Sequence, residues 1–347
     1  MKKTKTILSS LLLSTMGFLA ACGEESGSQD SSAESTEEGA SEESIVLSTA
    51  NITQADNSLS VVLQNIGDEL EERTDGRITA EHHPGGQLGN EEDMMQQLNS
   101  GTIDIANITT AQLSNSSPAF GVWLTPFVVE THEQAYELWT SEESMALFDT
   151  LENQNVKGLG YSTSGFRYML SVDPIDSVSD LDGFKLRTTP SPTIMDFWNG
   201  LGASPTAMPL TEVYTSLQTN VIDGVDIDTQ SLVSENLTEI ATNMTPSKHM
   251  YWAAGIMMNQ DRWDSFSEED QQLIQEVVDE VTKENAETLI EFEDNLLENG
   301  EEEQGVSIVE FDYSEFDPVT EEVREAWMEK SPEIKPILEK ADEIKSE

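Results

Sequence analysis

From residue 45 onward, short apolar runs alternate with stretches whose apolar residues recur at helical spacing. Both helical stretches of this region end at a glycine, Gly76 or Gly101, and Asn90 is placed to cap the second one. Such an alternation indicates an α/β lobe with a largely parallel sheet. The predicted elements are strands at 45–49, 77–81 and 103–108, a helix at 58–72, and a helix between Asn90 and Gly101.

The same pattern restarts in the middle of the chain and predicts a second α/β lobe, as expected for 347 residues. The predicted elements there are strands at 156–163, 166–171 and 184–187 and helices at 192–201 and 211–219. Farther on, Ser267 and Asp270 resemble a capping box, and an apolar stripe from Leu273 to Leu297 predicts a long helix that ends before Gly300. At about 1.5 Å per residue it would extend roughly 45 Å, enough to lie along both lobes.

The N-terminal segment has a different character. Lysines precede an apolar run at 7–13, which is shorter than a membrane span and is typical of an export signal. Cys22, the only cysteine, follows Leu-Ala-Ala and resembles the acylated cysteine of a bacterial lipobox; an ordinary signal peptide is the alternative. Acidic and small residues then predict a disordered tether. We therefore expect a signal peptide at 1–21, a lipidated Cys22 with its tether at 22–44, and lipid anchoring at the extracellular face of the cell membrane.

The net charge of −50, from 17 basic and 67 acidic residues, argues against a nucleic-acid partner. Such acidity fits a surface adapted to high salt, where screening reduces the repulsion between like charges. An acidic exported protein without this adaptation is the alternative.

Motifs of catalytic and metal sites are missing from the sequence. None of the four histidines has the spacing of a metal site such as HExxH, and the glycines at 158–160 lack the third glycine of a dinucleotide fingerprint. Asp223, Asp226 and Asp228 lack the spacing of a calcium loop, so we interpret them as solvated or capping carboxylates. The sequence therefore predicts a binding protein with neither a metal nor a cofactor, and not an enzyme.

Arginine is scarce, with six in the chain, and Arg187 closes the predicted strand 184–187. The carboxyl end of a strand is where an open α/β sheet binds its ligands. A guanidinium there can hold a carboxylate through two parallel hydrogen bonds, which lysine cannot do. An internal salt bridge to one of the many acidic residues is the alternative role for Arg187.

Nine short segments, in this order and spacing, resemble the DctP-type solute receptors of tripartite ATP-independent periplasmic (TRAP) transporters over nearly all of residues 45–340. They are TDGRI at 74–78, PGGQLG at 84–89, LNSGTID at 98–104, PF at 126–127, GFR at 165–167, DLDGFKLR at 180–187, LGASPT at 201–206, EVY at 212–214 and IDG at 222–224. The resemblance implies a two-lobed α/β clamshell of the periplasmic-binding-protein type, with a long helix spanning both lobes. We expect lobe I at 45–164 plus 253–292 and lobe II at 165–252 plus 293–347.

The function that the resemblance implies is that of an extracellular receptor, which binds a small organic acid and delivers it to the small and large membrane subunits of a TRAP permease. Two alternatives stay open at this point. One is a ligand-binding lipoprotein that serves a sensor kinase, and the other is a secreted hydrolase, against which the missing catalytic motifs argue.

The family's carboxylate-binding arginine falls on Arg187, and a second arginine that often lines its cleft falls on Arg167. The resemblance also keeps a cleft role open for Asp226. Asn51, at the end of the first strand, is a candidate polar contact. Trp252 could line the cleft or be a buried structural aromatic.

Four further candidate ligand-binding positions depart from the family's residues. Ile227 stands where many relatives have asparagine, and Leu210 replaces a frequent phenylalanine. Thr109 and Gln112 stand where sialic-acid receptors have an acid and an arginine, which argues against sialic acid. Thr109, Gln112 and Asn51 could equally be loop-capping residues. A C4-dicarboxylate, a 2-oxo acid and a sugar acid all remain open as ligands.

Overall fold

A computed structural model of the protein describes residues 44–346. The predicted signal peptide, Cys22 and the tether up to residue 43 lie outside the described residues. Within residues 44–346, no helix is both long enough and apolar enough to cross a membrane.

The strands of the described chain form one mixed sheet in the order β2-β1-β3-β8-β4-β7-β5-β6, with β9 paired to β8. The first three strands pair in parallel, as predicted, whereas β8 runs antiparallel to β3 and β4 runs antiparallel to both β8 and β7. The strands are β1 Ile45–Ala50, β2 Ile78–His83, β3 Ile105–Thr109, β4 Val156–Ser171, β5 Leu186–Thr188, β6 Thr206–Ala207, β7 Gly224–Asp228, β8 Asn243–Asn259 and β9 Ser307–Ile308.

Helices cover both faces of this sheet. The α-helices are α1 Ser58–Arg73, α2 Glu91–Ser100, α3 Thr110–Ser116, α4 His132–Trp139, α5 Glu142–Met145, α6 Pro192–Gly200, α7 Val213–Gln218, α8 Thr229–Ser234, α9 Gln260–Asp264, α10 Glu268–Gln304, α11 Asp317–Lys330 and α12 Lys335–Ser346. Short 3₁₀ turns lie at Pro118–Leu124, Ala146–Gln154, Val178–Leu181, Leu210–Glu212, Leu237–Glu239, Tyr313–Phe316 and Pro332–Ile334.

Local signals fix the ends of the early helices. Asn90 caps α2 in a full capping box with Asp93, and Gly101 ends the helix in the left-handed conformation at φ 74°. Asn57 caps α1, whose apolar stripe is buried against the sheet. The predicted boundaries of both helices are therefore confirmed to within a residue or two.

Two long strands, β4 and β8, join the parts of the molecule. We call the end of the sheet with β1, β2 and β3, together with α1 and α2, the first lobe, and the end with β5, β6 and β7, together with α6 and α7, the second lobe. The two strands predicted at 156–163 and 166–171 are in fact one strand, because Gly165 takes φ +84° at an irregularity in the pairing with β8 and the strand continues. The fold is thus the predicted two-lobed α/β type.

The long helix α10 is confirmed and extends farther than predicted. Ser267 caps it by accepting from the Asp270 amide at 3.1 Å, and the helix passes Gly300 and ends at Gly305, in the left-handed conformation at φ 68°. Its 37 residues correspond to roughly 55 Å. It packs against α1, β4 and α4 on its way across the molecule.

A buried carboxylate, Glu293, links α10 to the strands beneath it. It accepts from the Tyr168 hydroxyl at 2.8 Å and pairs with the Lys248 ammonium at 2.8 Å, and Nε2 of His132 lies 3.4 Å away. Although burial acts in the opposite direction, His132 and Lys248 lower the pKa of Glu293 to about 2. The helix is thereby joined electrostatically to both β4 and β8.

The C-terminal helices pack on different parts of the molecule, since α11 contacts α6 while α12 contacts α4 and α5. The division into 45–164 plus 253–292 and 165–252 plus 293–347 stays a prediction.

Candidate functional site

A cavity of about 750 Å³ lies between the lobes, at the carboxyl ends of β3, β5, β6 and β7. This is the position where open α/β sheets bind ligands. Six of the predicted site residues line it: Arg187, Arg167, Thr109, Gln112, Leu210 and Ile227. Residues that the sequence did not indicate as ligand-binding also line it, including Glu91, Asp228 and Thr189.

Arg187 lies in β5, buried to 98 % and facing the cavity. Its Nε and Nη2 atoms donate to the carbonyl of Met208 at 3.1 and 2.9 Å, and within residues 44–346 its Nη1 donates to no acceptor. Burial, and after it the nearby Arg167 cation, lowers the pKa of Arg187 from 12.5 to about 9. The guanidinium therefore stays charged at neutral pH and has donors left for a ligand.

Among the six arginines, all of which the structure describes, Arg187 is the exception. Each of the others forms an ion pair with a carboxylate: Arg73 with Glu69 and Glu280, Arg77 with Asp270, Arg167 with Asp226, Arg262 with Asp104 and Arg324 with Asp342. Arg187 instead has a neutral carbonyl as its hydrogen-bond partner. The internal salt bridge that the sequence left open for Arg187 does not form within residues 44–346, where the charges of Asp226, Asp228 and Glu91 act on it from beyond contact distance.

Arg167 is held rigidly beside it. Nε lies 2.5 Å from Oδ1 of Asp226, Nη2 also donates to the Asp226 carbonyl, and the guanidinium carbon lies 3.9 Å over the ring of Trp252. Trp198 Nε1 donates to the other oxygen of the same carboxylate at 2.8 Å. Nε2 of His249 lies 3.2 Å from Asp226 Oδ1. Although burial acts to raise it, the Arg167 cation and the contacts with His249 and Trp198 hold the pKa of Asp226 far below its usual range.

Asp226 and Asn51 lie behind the cavity wall. Asp226 is fully buried beneath Arg167, which it orients. The Asn51 amide donates to the hydroxyls of Thr53 and Ser60, both at 2.8 Å, so that its polar group is used inside the first lobe.

The other two carboxylates of the predicted acidic triplet differ in role. Asp228 accepts from the Ser231 amide at 2.8 Å and caps α8, as a capping carboxylate was predicted to do, and burial raises its pKa. Asp223 pairs with Lys185 at 3.1 Å near the surface. Over the described part of the chain, no group of three or more histidine, cysteine or acidic side chains is placed to hold a metal ion.

Glu91 is the main site residue that the sequence did not reveal. It is the first residue of α2, and its two oxygens accept from the amide and the hydroxyl of Thr109 at 2.7 and 2.8 Å. Burial raises the pKa of Glu91 to about 6, although both hydrogen bonds favour the ionised form. Since Thr109 caps α3 through the Gln112 amide at 3.3 Å, the capping role considered for Thr109 coexists with a place on the cavity wall.

The lobes touch on both sides of the cavity. Asn115 donates to the Pro190 carbonyl at 3.0 Å, and Ser114 and Ser191 hydroxyls lie 3.2 Å apart. Gln54 donates to Glu235 at 3.2 Å across a second opening. Polar side-chain contacts therefore join the lobes at these positions.

Comparison with known proteins gives matches along nearly the whole described chain. The model of the family described as bacterial extracellular solute-binding protein, family 7 (DctP), matches residues 49–332. A solute-binding protein of Roseobacter denitrificans is 30% identical over 303 residues, which are 85% of this chain and 90% of that protein. The 2,3-diketo-L-gulonate-binding periplasmic protein YiaO of Escherichia coli is 26% identical over 295 residues, 84% of this chain and 90% of that protein.

The fold also matches a solved structure. A TRAP periplasmic solute binding protein from Sulfitobacter sp. NAS-14.1, with bound β-D-galacturonate, has a TM-score of 0.79 at 26% identity. The match covers 85% of this chain and 98% of that one.

Proposed function

Because the chain belongs to family 7 of the bacterial extracellular solute-binding proteins, the DctP receptors of TRAP transporters, we propose that it captures a small organic acid through Arg187 and hands it to a membrane permease. Like its relatives it is a solute receptor and not an enzyme. Arg187 clamps the ligand carboxylate from β5, and Arg167 supports the clamp from β4, with β7 between the two strands.

The observation that carries this proposal is that Arg187 forms no contact ion pair within residues 44–346. A guanidinium buried to 98 % beside a cavity, with a neutral carbonyl as its partner, is complementary to a carboxylate. Arg167 is already neutralised by Asp226, so the ligand carboxylate pairs with Arg187. Proteins normally pair a buried charge, and here the ligand supplies the partner.

The size and polarity of the cavity support a small, polar ligand. At about 750 Å³ it lies within the range of roughly 300–1,000 Å³ that is typical of small-molecule sites. The relatives named above bind 2,3-diketo-L-gulonate and β-D-galacturonate, both of which are carboxylates.

Closure follows from the ligand's differential contacts with the two lobes. Thr109 and Glu91 face the cavity from the first lobe, and Arg187 faces it from the second. A ligand that reaches both sides stabilises the closed state, which the Asn115 and Ser114 contacts then complete.

A calorimetric titration against organic acids tests the capture step, with C4-dicarboxylates, 2-oxo acids and sugar acids in the panel. Unfolding measured in the presence of the acid gives a second readout. At 100 times its Kd, a binding acid should add about 2.7 kcal/mol to the free energy of unfolding. Binding of neutral sugars alone, with all carboxylates silent, would overturn the proposal.

The family assignment supports delivery to a permease over delivery to a sensor kinase. In vesicles that contain the small and large TRAP subunits, uptake of the acid should require this protein. Uptake that proceeds equally without it would refute the delivery step.

Lipid anchoring through Cys22 is the remaining part of the proposal, and it is based on the lipobox-like sequence. Mass spectrometry of the mature N-terminus should find a diacylglyceryl group on Cys22, and Cys22→Ser should release the protein into the medium. Retention of the variant at the membrane would contradict the anchor.

A further inference from the structure

Within residues 44–346, two charged residues of the cavity wall, Arg187 and Glu91, form no contact ion pair. Arg167 lies 2.5 Å from a carboxylate oxygen of Asp226 and 3.8 Å from one of Asp228, so these groups largely satisfy one another. Arg187 and Glu91 are left as a cation in the second lobe and an anion in the first. A ligand carboxylate that pairs with Arg187 leaves Glu91 facing the rest of the ligand.

Glu91 is fixed in its position. The amide and hydroxyl of Thr109 hold one oxygen each, at 2.7 and 2.8 Å, and the N-terminus of α2 favours the ionised form. Each carboxylate oxygen has a further lone pair, and an ionised carboxylate is solely an acceptor. The group therefore accepts hydrogen bonds from a ligand and repels a second negative charge.

The remaining wall offers polar partners as well. The Thr189 hydroxyl is buried beside the cavity and has no hydrogen-bond partner within residues 44–346. The Gln112 amide lines the opposite side. Trp252, the aromatic residue of the lining, is covered by the Arg167 guanidinium at 3.9 Å, so its face is not free to hold a ligand cation.

We propose that Glu91 sets the ligand class: the receptor takes monocarboxylates that carry hydroxyl groups, and it excludes dicarboxylates. The ligand carboxylate pairs with Arg187, a ligand hydroxyl donates to Glu91, and further hydroxyls are satisfied by groups such as Thr189. This inference rests on the proposed function, because it assumes that Arg187 binds the carboxylate.

Matched open-chain sugar acids test the inference on the full chain. Galactonate and galactarate differ at one end, where the first has a hydroxyl and the second a carboxylate, and erythronate and meso-tartrate form a shorter pair of the same kind. In each pair that binds, the monocarboxylate should bind at least about tenfold more tightly, as measured by calorimetry. Dicarboxylates that bind as tightly as their partners overturn the inference.

Glu91→Gln removes the charge and keeps the shape, so it should reduce this preference to within about threefold. Glu71→Gln, an exposed neutralisation on α1, is the control and should leave the preference unchanged. A preference that persists in Glu91→Gln assigns the selection to another residue and refutes the role of Glu91.

The pH dependence of the wild-type protein gives a second measurement that needs no variant. Burial raises the pKa of Glu91 to about 6, while the hydrogen bonds from Thr109 and the charge of Arg187 act to lower it. Lowering the pH from about 8 to about 5 neutralises Glu91 while both sugar acids stay ionised, so the preference should narrow. A preference that stays constant over this range contradicts the inference.

The outcomes separate the two proposals. If no carboxylate of any kind binds, the proposed function fails. If acids bind through Arg187 but the tight ones are dicarboxylates, unhydroxylated acids or zwitterions, the receptor function stands and the role of Glu91 is wrong.

Discussion

Replacing Arg187 with methionine should separate binding from stability. Burial and the nearby Arg167 cation lower the pKa of Arg187 from 12.5 to about 9, and at about 1.4 kcal/mol per pKa unit this net shift corresponds to about 5 kcal/mol of unfavourable free energy for the charged side chain in the ligand-free protein. Methionine removes that cost but leaves the Met208 carbonyl without its donor, which costs about 1–3 kcal/mol. We therefore expect ligand-free Arg187→Met to be as stable as the wild type or more stable.

The same change should greatly weaken the binding of the organic acid. Loss of a buried, charge-paired partner costs at least about 3 kcal/mol, which raises Kd about 150-fold. At a ligand concentration of 100 times the wild-type Kd, the wild type gains about 2.7 kcal/mol and the variant only about 0.3 kcal/mol. Urea unfolding with and without ligand measures both quantities.

Arg73→Met serves as the control, because Arg73 forms a partly exposed ion pair with Glu69 and Glu280. It should change stability by less than about 1 kcal/mol and leave affinity unchanged. A decrease of more than about 2 kcal/mol in the free energy of unfolding of ligand-free Arg187→Met would instead show that Arg187 stabilises the fold. An affinity within about threefold of the wild type would refute the clamp itself.

Four further predictions concern the supports of the site and the surface. Asp226→Asn leaves Arg167 without its buried partner and should cost about 3–5 kcal/mol in urea unfolding; a loss below about 1 kcal/mol would contradict the pairing. Glu293→Gln should lower the free energy of unfolding by about 2–3 kcal/mol at neutral pH. A carboxylate whose folded pKa is lowered to about 2 contributes stability above its unfolded pKa, and that contribution is lost as the pH falls through the folded pKa. The free energies of unfolding of variant and wild type should therefore converge near about pH 2. Trp252→Leu removes the ring under Arg167 and should weaken acid binding in calorimetry by up to about 2 kcal/mol, and unchanged affinity would exclude a role for the stacking. Stability of the wild type should rise as NaCl is increased, because screening weakens the repulsion within a chain of net charge −50, and a flat response would sink salt adaptation.

The early helices and strands could be predicted because their signals are local. Asn90 and Gly101 have cap and stop functions that depend on a few neighbouring residues, and the structure uses both. The single strand β4 could not be predicted in the same way. The break predicted between residues 163 and 166 is an irregularity in the pairing with β8, where Gly165 takes φ +84°, and pairing resumes at Phe166.

The site was predictable to the extent that strand ends and family motifs mark it. Arg187 and Arg167 lie on the cavity wall where the resemblance put them, and their ligand-binding roles stay predictions. Glu91 could not be found, since an acidic residue in the first turn of a helix already has an ordinary explanation in the helix dipole. Thr189 has no distinctive sequence signal, because its burial without a partner arises only from the tertiary fold.

The connections between the lobes are two hydrogen-bonded strands, β4 and β8, braced by α10, instead of flexible linkers. A hinge of this kind bends with few degrees of freedom, so the open receptor has little conformational entropy to lose when it closes. The free energy of the ligand's contacts then contributes mostly to affinity, because little of it offsets the entropy lost in ordering the protein. The two stiff strands between the lobes therefore let a small solute, which makes few contacts, stabilise the closed receptor.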